Sequence, residues 1–474
     1  MVSAVLFITF FVLLVLNVPI AVCLGLSSAA AILYSGTSLT IVATNIYSGI
    51  SKFLLLAIPF FVLSGNIMAK AGISTRLIRF VDTCVGHRKG GIANVCIIVA
   101  CFFGAISGSG PATVAALGAV LIPAMVERGG FSAAFSTALM ATSSSIAIVI
   151  PPSIAFVVYA SITGVSIGDM FMAGIIPGIL MGLALVVVVM LEVRRNHVVP
   201  SNVEKASAKE RWNAFKDAFW GFLMPIIILG GIYGGFFTPT EAAAVSVVYG
   251  LFVGMVIYKE VKFKDLWEIL IDSAKTTGGI MLIVACASLF SFVCTRFGIS
   301  TAASELLARV AGNQFTFLLI CNIIFLIAGC FIDANSAMYI FIPIMLPVCK
   351  ALGYNVIAFG IMATVNLAIG QVTPPVGVNL FVAIGIKLRD GIRVTLQEIS
   401  RAVVPMVAAS IAVLLIITYI PQISTCLPAA LGSAAAIESS LARTRQSEAT
   451  AEPLRQTMTI STRSAITAIW IGRI

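Results

Sequence analysis

Charge is what this chain has least of: Asp, Glu, Lys and Arg make up 10% of its residues against 60% hydrophobic, with a mean hydropathy of +1.09. Soluble domains carry about a quarter charged residues, so a hydrated globular surface is excluded. Histidine is nearly missing, and His87 and His197 both sit in basic stretches far from any Ser-rich segment. An intramembrane serine hydrolase, the least favoured reading, would therefore lack its general base. No G-x-x-x-x-G-K-[ST] loop occurs, which removes the phosphate cradle of a nucleotide-driven pump. The ten cysteines include no C-x-x-C pair and read as small buried hydrophobes rather than metal ligands.

What the chain does have is long apolar runs. No charge appears from Met1 to Ser51, and nearly uncharged runs follow at about 53–69, 90–126, 129–168, 218–240, 242–258, 276–295, 310–349, 351–386 and 402–437. At roughly 20 apolar residues per span, this predicts an all-α polytopic membrane protein with about 10–12 passes. The runs do not alternate as barrel strands do. Met1-Val2-Ser3 opens directly into apolar sequence without a basic n-region, so the start reads as a retained segment, one bent helix or two short ones meeting near Asn17 and Pro19.

The charges that remain mark sidedness. Arg194, Arg195, Lys205, Lys209, Arg211 and Lys216 cluster between two apolar runs, and the positive-inside rule makes that segment cytoplasmic. Two spans joined by the Thr238-Pro239-Thr240-Glu241 turn return the chain to a second basic loop, read as Lys259, Lys262, Lys264 and Lys275, on the same side. Arg76, Arg79, Arg88 and Lys89 form a third cluster, and Lys387, Arg389, Arg393 and Arg401 a fourth; hairpin counting places neither. A net charge of +10 distributed this way serves topology and contacts to anionic lipid headgroups, not nucleic acid.

Two apolar regions are interrupted in the same order. The run from Gly90 to Val126 is too long for one span and short for two, and Ser107-Gly108-Ser109-Gly110-Pro111 breaks it. Glycine and proline there interrupt the helical hydrogen-bond ladder, predicting the tip of a re-entrant hairpin. Gly129 to Gly168 follows, broken at Thr142 to Ser145 and at Ile150-Pro151-Pro152. Later, Val310 to Cys349 is interrupted at Asp333-Ala334-Asn335-Ser336, and Ala351 to Ile386 at Gly370-Gln371-Val372-Thr373-Pro374-Pro375. Pro123 precedes Pro151 by 28 residues and Pro347 precedes Pro374 by 27. Hairpin followed by broken helix thus occurs twice.

Irregular backbone at membrane depth is tolerated only inside protein or along a watery cavity. Freed carbonyls and hydroxyls are hard ligands for a cation, and half-helix N-termini attract an anion. The natural inference is a sodium-coupled carrier of an anionic solute; a channel-like or proton-coupled anion permease is the alternative. Asp333 is the only acidic residue between Val310 and Ile386. It reads equally as a cation ligand, a proton-sensitive group or a helix N-cap. Asn335 and Asn379 share that ambiguity, whereas Asn66, Asn322 and Asn366 read as interhelical glue.

Six blocks carry a family resemblance: AIPFFVLSGNIM (57–68), FGAISGSGPATVAALGAVLIPAM (103–125), IPPSIAFVVYA (150–160), GDMFMAGIIPGIL (168–180), GIYGGFFTPTEAAAVSVVYG (231–250) and GIMATVNLAIGQVTPPVGVNLFVA (360–383). From residue 1 to about 430 the chain resembles the large membrane (permease) subunit of tripartite ATP-independent periplasmic (TRAP) transporters. The resemblance implies an elevator-type ion-transporter superfamily fold with an inverted repeat, in the bacterial inner membrane, driven by sodium ions. It implies scaffold helices at 1–89 and 192–309, the latter including the basic loop, and a transport domain at 90–191 and 310–430. It also implies one sodium site from Ser107, Gly108, Ser109, Gly110, Ser145, Ile150 and Pro152, and a second from Asp333, Asn335, Gly370, Thr373 and Val376. Substrate, an organic anion such as a C4-dicarboxylate or sugar acid, would meet Ser109, Pro111, Thr113, Asn335, Pro375 and Asn379. The implied partners are a small four-helix membrane subunit and a periplasmic solute-binding protein. Residues 431–474 turn to Ala, Ser, Thr and Arg and read as a polar, disordered tail outside the resemblance.

Overall fold

In the computed structural model, residues 1–195, 205–388 and 394–430 are described, and among them every regular element is helical. His197, Arg389, Arg393 and the polar tail at 431–474 lie outside the described residues. One unit runs from Met1 to Thr425, and a second begins at Cys426.

The first unit opens with α1 (Val2–Val15) and α2 (Ile20–Tyr34), two short helices that pack on each other. They separate where Asn17 takes φ 59° and Pro19 stands before the first turn of α2, which settles the open choice in favour of two helices. Then come α3 (Thr40–Ile50), α4 (Ala57–Lys70) and the amphipathic α5 (Ile73–Val85). The first hairpin is α6 (Gly91–Ser107) with α7 (Gly110–Glu127), and the first broken helix is α8 (Ala133–Ser145) with α9 (Ile154–Thr163). After α10 (Ile167–Arg195), α11 (Ala208–Tyr233) and α12 (Pro239–Phe252), the long α13 (Asp265–Arg296) and α14 (Ile299–Ala311) lead to the second hairpin. That hairpin is α15 (Gln314–Phe331) with α16 (Ala334–Ala351); its broken helix is α17 (Val356–Gly370) with α18 (Val378–Ile384), and α19 (Leu396–Tyr419) follows. Among the described residues nine helices are long and apolar enough to cross a membrane alone.

Local chemistry fixes the interruptions. At the first tip Gly108 adopts φ 59°, a left-handed conformation that glycine takes without steric penalty, and Ser109 is extended. Pro111 then falls in the first turn of α7, where its missing N–H has no helical acceptor to lose. At the second tip Ile332 and Asp333 are extended, and Asp333 caps α16. Ser132 and Ser153 cap α8 and α9, accepting from the Phe135 and Phe156 N–H groups. The Pro151-Pro152 and Pro374-Pro375 peptide bonds are both cis.

The two repeats are antiparallel. α18 packs on α8 and α7, while α17 packs on α9; each half of one broken helix lies beside the opposite half of the other, as inversion requires. Ion pairs settle the third basic cluster. Arg76 pairs with Glu260 and Arg79 with Asp217 at 3.7 Å, so α5 lies on the face of the two basic loops, the cytoplasmic one by the positive-inside rule. Arg128 pairs with Asp82 at 2.9 Å and brings the outer end of the first hairpin to that face. α18 leads away from its break alongside α7, with Ile386 against Gly118, which directs Lys387 of the fourth cluster to the same side. One sequence reading needs correction: Lys275 is not in the loop. The helix starts at Asp265, because the charges at 265–275 lie on its first turns rather than before it.

The glue residues act as expected. Asn66 Nδ2 donates to Ser273 Oγ at 2.8 Å between α4 and α13, and Asn366 Nδ2 donates to Asn322 Oδ1 at 2.6 Å between α17 and α15.

Inversion makes a topological prediction. With Cys84, Cys101 and Cys426 replaced by serine, a cysteine at Lys89 should react with a membrane-impermeant maleimide only from the cytoplasmic side. A cysteine at Ala351 should react only from the periplasmic side; labelling of both from one side would contradict the arrangement.

Candidate functional site

Each hairpin tip closes on one broken helix. A Cβ built on Gly108 would lie 2.8 Å from the Pro152 carbonyl oxygen, and one on Gly104 would lie 2.6 Å from the Ala147 Cα. The first tip therefore presses directly on the break after α8. Behind it, the Ser107 and Thr113 hydroxyls are 2.9 Å apart and Thr113 Oγ1 donates to the Ser109 carbonyl at 2.8 Å, a staple that holds the turn. Ser145 Oγ donates back to the Thr142 carbonyl at 2.7 Å. The Ile150 side chain packs against Gly178 of α10, so only its backbone is available to the break.

The second tip is closed in the same manner. A Cβ on Gly370 would sit 2.5 Å from Gly329 backbone atoms, and the Gly377 N–H donates to the Cys330 carbonyl at 3.2 Å. Thr373 Oγ1 donates to the Ile369 carbonyl at 2.8 Å. The Asn379 N–H reaches back across the break to the Gln371 carbonyl at 3.0 Å. Asp333 serves as the cap: its Oδ2 accepts from the Asn335 and Ser336 N–H groups at 3.0 and 3.2 Å, and its Oδ1 accepts from Ser336 Oγ.

The two halves meet at Gly110. A Cβ there would lie 2.7 Å from Asn379 Nδ2 and 3.0 Å from its Oδ1. Asn379 is fully buried, yet neither of its side-chain amide atoms has a hydrogen-bond partner. Asn335 Oδ1 and Gln371 Oε1 are likewise buried and unpartnered. Buried amides normally find partners, so three of them around the tips mark a place built for a ligand.

A cavity of about 400 Å3 opens between the tips. Ser109 and Pro111 of the first hairpin, and Asp333 and Asn335 of the second, line it together with Gln371. The N-terminal residues of α7, α9 and α16 all reach it. Three helix N-termini give the cavity positive dipole ends. Thr113 and Asn379 stand behind the first tip, Pro375 is exposed and Val376 half-buried. The fourth wall, missed from the sequence, is α13, which contributes Lys275, Thr276 and Gly279. Gln371 was read only as part of a break; its place one residue after α17 ends is the signal that pointed to it.

Re-entrant hairpins that close on broken helices around a cavity fed by helix N-termini define a helical membrane transporter of the secondary kind. The chain belongs to the family "Tripartite ATP-independent periplasmic transporter, DctM component", whose model matches residues 7–423. It is 38% identical over 436 residues to the C4-dicarboxylate TRAP transporter large permease protein DctM of Rhodobacter capsulatus, covering 89% of this chain and 97% of that one. It is 40% identical over 420 residues to the isethionate TRAP transporter permease protein DctMQ of Oleidesulfovibrio alaskensis, covering 88% of this chain but 65% of that longer one. Among solved structures, the YdaH transporter of Alcanivorax borkumensis superposes with a TM-score of 0.56 at 13% identity, covering 85% of this chain and 89% of YdaH. That likeness concerns the fold alone. The chain is thus a multi-pass inner-membrane permease subunit and not an enzyme.

Two substitutions test the site. Gly110→Val should displace Asn379 and lower uptake roughly tenfold or more, with insertion unchanged; normal uptake would place that contact outside the working machinery. Asp333→Ala should destabilise the detergent-solubilised protein by about 1 kcal/mol in thermal unfolding, while Asp333→Asn retains most of the stability. Equal losses in both would show that the carboxylate's charge, not its capping, is what matters.

Proposed function

We propose that this permease carries an organic anion through the cavity between the hairpin tips, that sodium ions drive the carriage, and that the two hairpins and broken helices move together as an elevator. The observation that supports this most is the convergence on one cavity of three helix N-termini and of the unpartnered amide oxygens of Asn335 and Gln371, with the unpartnered Asn379 amide behind the first tip. Helix N-termini favour anions; water-filled breaks with exposed carbonyls favour a small hard cation.

Sodium fits the residues present. At the first tip the Pro152 carbonyl faces Gly108, and oxygens of the Ser107 to Gly110 turn and of Ser145 would be the further ligands. At the second, the carbonyls of the Gly370 to Val376 break, the Thr373 hydroxyl and Asn335 would serve, with Asp333 adding charge. An ion in each would bridge hairpin to broken helix and join four separately folded segments into one moving body. The solute would then bind between the tips at Ser109, Pro111, Asn335 and Asn379.

The substrate class follows the relatives, one named for C4-dicarboxylates and another for isethionate, both small organic anions. Delivery by a periplasmic solute-binding protein and enlargement of the membrane part by a small subunit belong to the same reading.

In proteoliposomes containing this permease with its small subunit and binding protein, an inward sodium gradient should drive uptake of the carried acid. A potassium gradient of equal size should not, and equal uptake in both would remove sodium from the mechanism.

A further inference from the structure

We infer that Lys275 is the positive charge, fixed on the wall opposite the hairpin tips, that receives the anionic group of the solute, and that Gly279 leaves the space for it. This rests on the anion-carrier reading above and names the residue that gives that cavity its charge preference. Lys275, Gly279 and Ile283 recur every four residues on α13 and share one face, and all three line the cavity. A Cβ built on Gly279 meets nothing within 4 Å. Open space therefore lies at the cavity wall one helical turn beyond Lys275.

The placement of Lys275 is not that of a topology marker. Ten residues separate it from the start of α13 at Asp265, about 15 Å of helix, while Lys259, Lys262 and Lys264 lie before the helix begins. Its ion partner is Asp272, three residues back, with Nζ 3.4 Å from Oδ1 and both side chains well exposed. Such an exposed pair is weak and exchanges readily for a better anion. The other charged residue lining the cavity, Asp333, is held away from Lys275 by its own partners, because both carboxylate oxygens are engaged at the N-terminus of α16, whose dipole offsets part of its charge.

The wall and the tips divide the task. The tips offer N–H groups and neutral amides, which bind without choosing between a carboxylate and a sulfonate. Lys275 offers a point charge on a long flexible stem, suited to the distal anionic group of solutes of differing length. α13 packs against α2, α3 and α4 on one side and against α16 of the second hairpin on another, so this charge stands where the hairpin meets the helices around it.

The test needs no knowledge of the solute. In full-length protein in lipid nanodiscs, Gly279→Cys is modified with an anionic sulfonate and with a cationic trimethylammonium methanethiosulfonate reagent, and the rates are read at that peptide by mass spectrometry. Adding Lys275→Met should lower the anionic-to-cationic rate ratio about fivefold or more, whereas Lys275→Arg should preserve it. Ile283→Cys serves as a second reporter should the Gly279 variant misfold. A ratio unmoved by Lys275→Met, or no reaction at either position, overturns the assignment. Failure of the reconstituted permease and its partners to take up any organic anion would instead defeat the carrier reading and leave the rate ratio standing.

Discussion

Backbone polar groups at membrane depth must find partners within the protein, and here four interruptions leave such groups free at one level of the fold. Everything else in the structure answers that constraint. Gly108 against the Pro152 carbonyl and Gly370 against Gly329 bring backbone to backbone at distances no side chain would permit. The Gly377 N–H to Cys330 carbonyl bond and the Asp333 cap satisfy part of what the breaks release. Side-chain amide oxygens of Asn335 and Gln371 remain without partners at the cavity, and the Asn379 amide does so beside Gly110. In the proposed function a bound ligand would complete that hydrogen bonding.

Inversion explains why this happens once rather than in two separate places. Because α8 lies beside α18 and α9 beside α17, the two breaks fall at the same depth and the two tips approach from opposite faces. Asn379 against Gly110 is the contact that joins the halves. Electrostatics follows from the same geometry, since helices that begin at a tip or a break begin at the cavity. The N-termini of α7, α9 and α16 thus meet at one cavity.

Much of this was legible in the sequence, since composition and run length are direct consequences of the bilayer. Hairpin, broken helix and their repetition followed from Gly, Ser and Pro at matched spacing, and the first tip predicted at Ser107 to Pro111 turns at Gly108 and Ser109. Asp333 was left open between ligand and cap, and its hydrogen bonds show the cap. The sequence misled at α13, where counting a span from its first uncharged residue hid three turns of charged amphipathic helix and put Lys275 in a loop. The role of Gly279 was hidden for a different reason: it depends on which helix faces the tips across a gap, a long-range relation that local pattern does not carry.

The central claim is that hairpin tips and breaks form one ion-dependent unit, which amide hydrogen exchange reads directly. Compared in sodium and in potassium at equal ionic strength, exchange at residues 104–113, 146–154, 330–337 and 369–380 should slow together in sodium, with 265–296 unchanged. Identical exchange in the two salts, or slowing confined to one tip, would contradict the account.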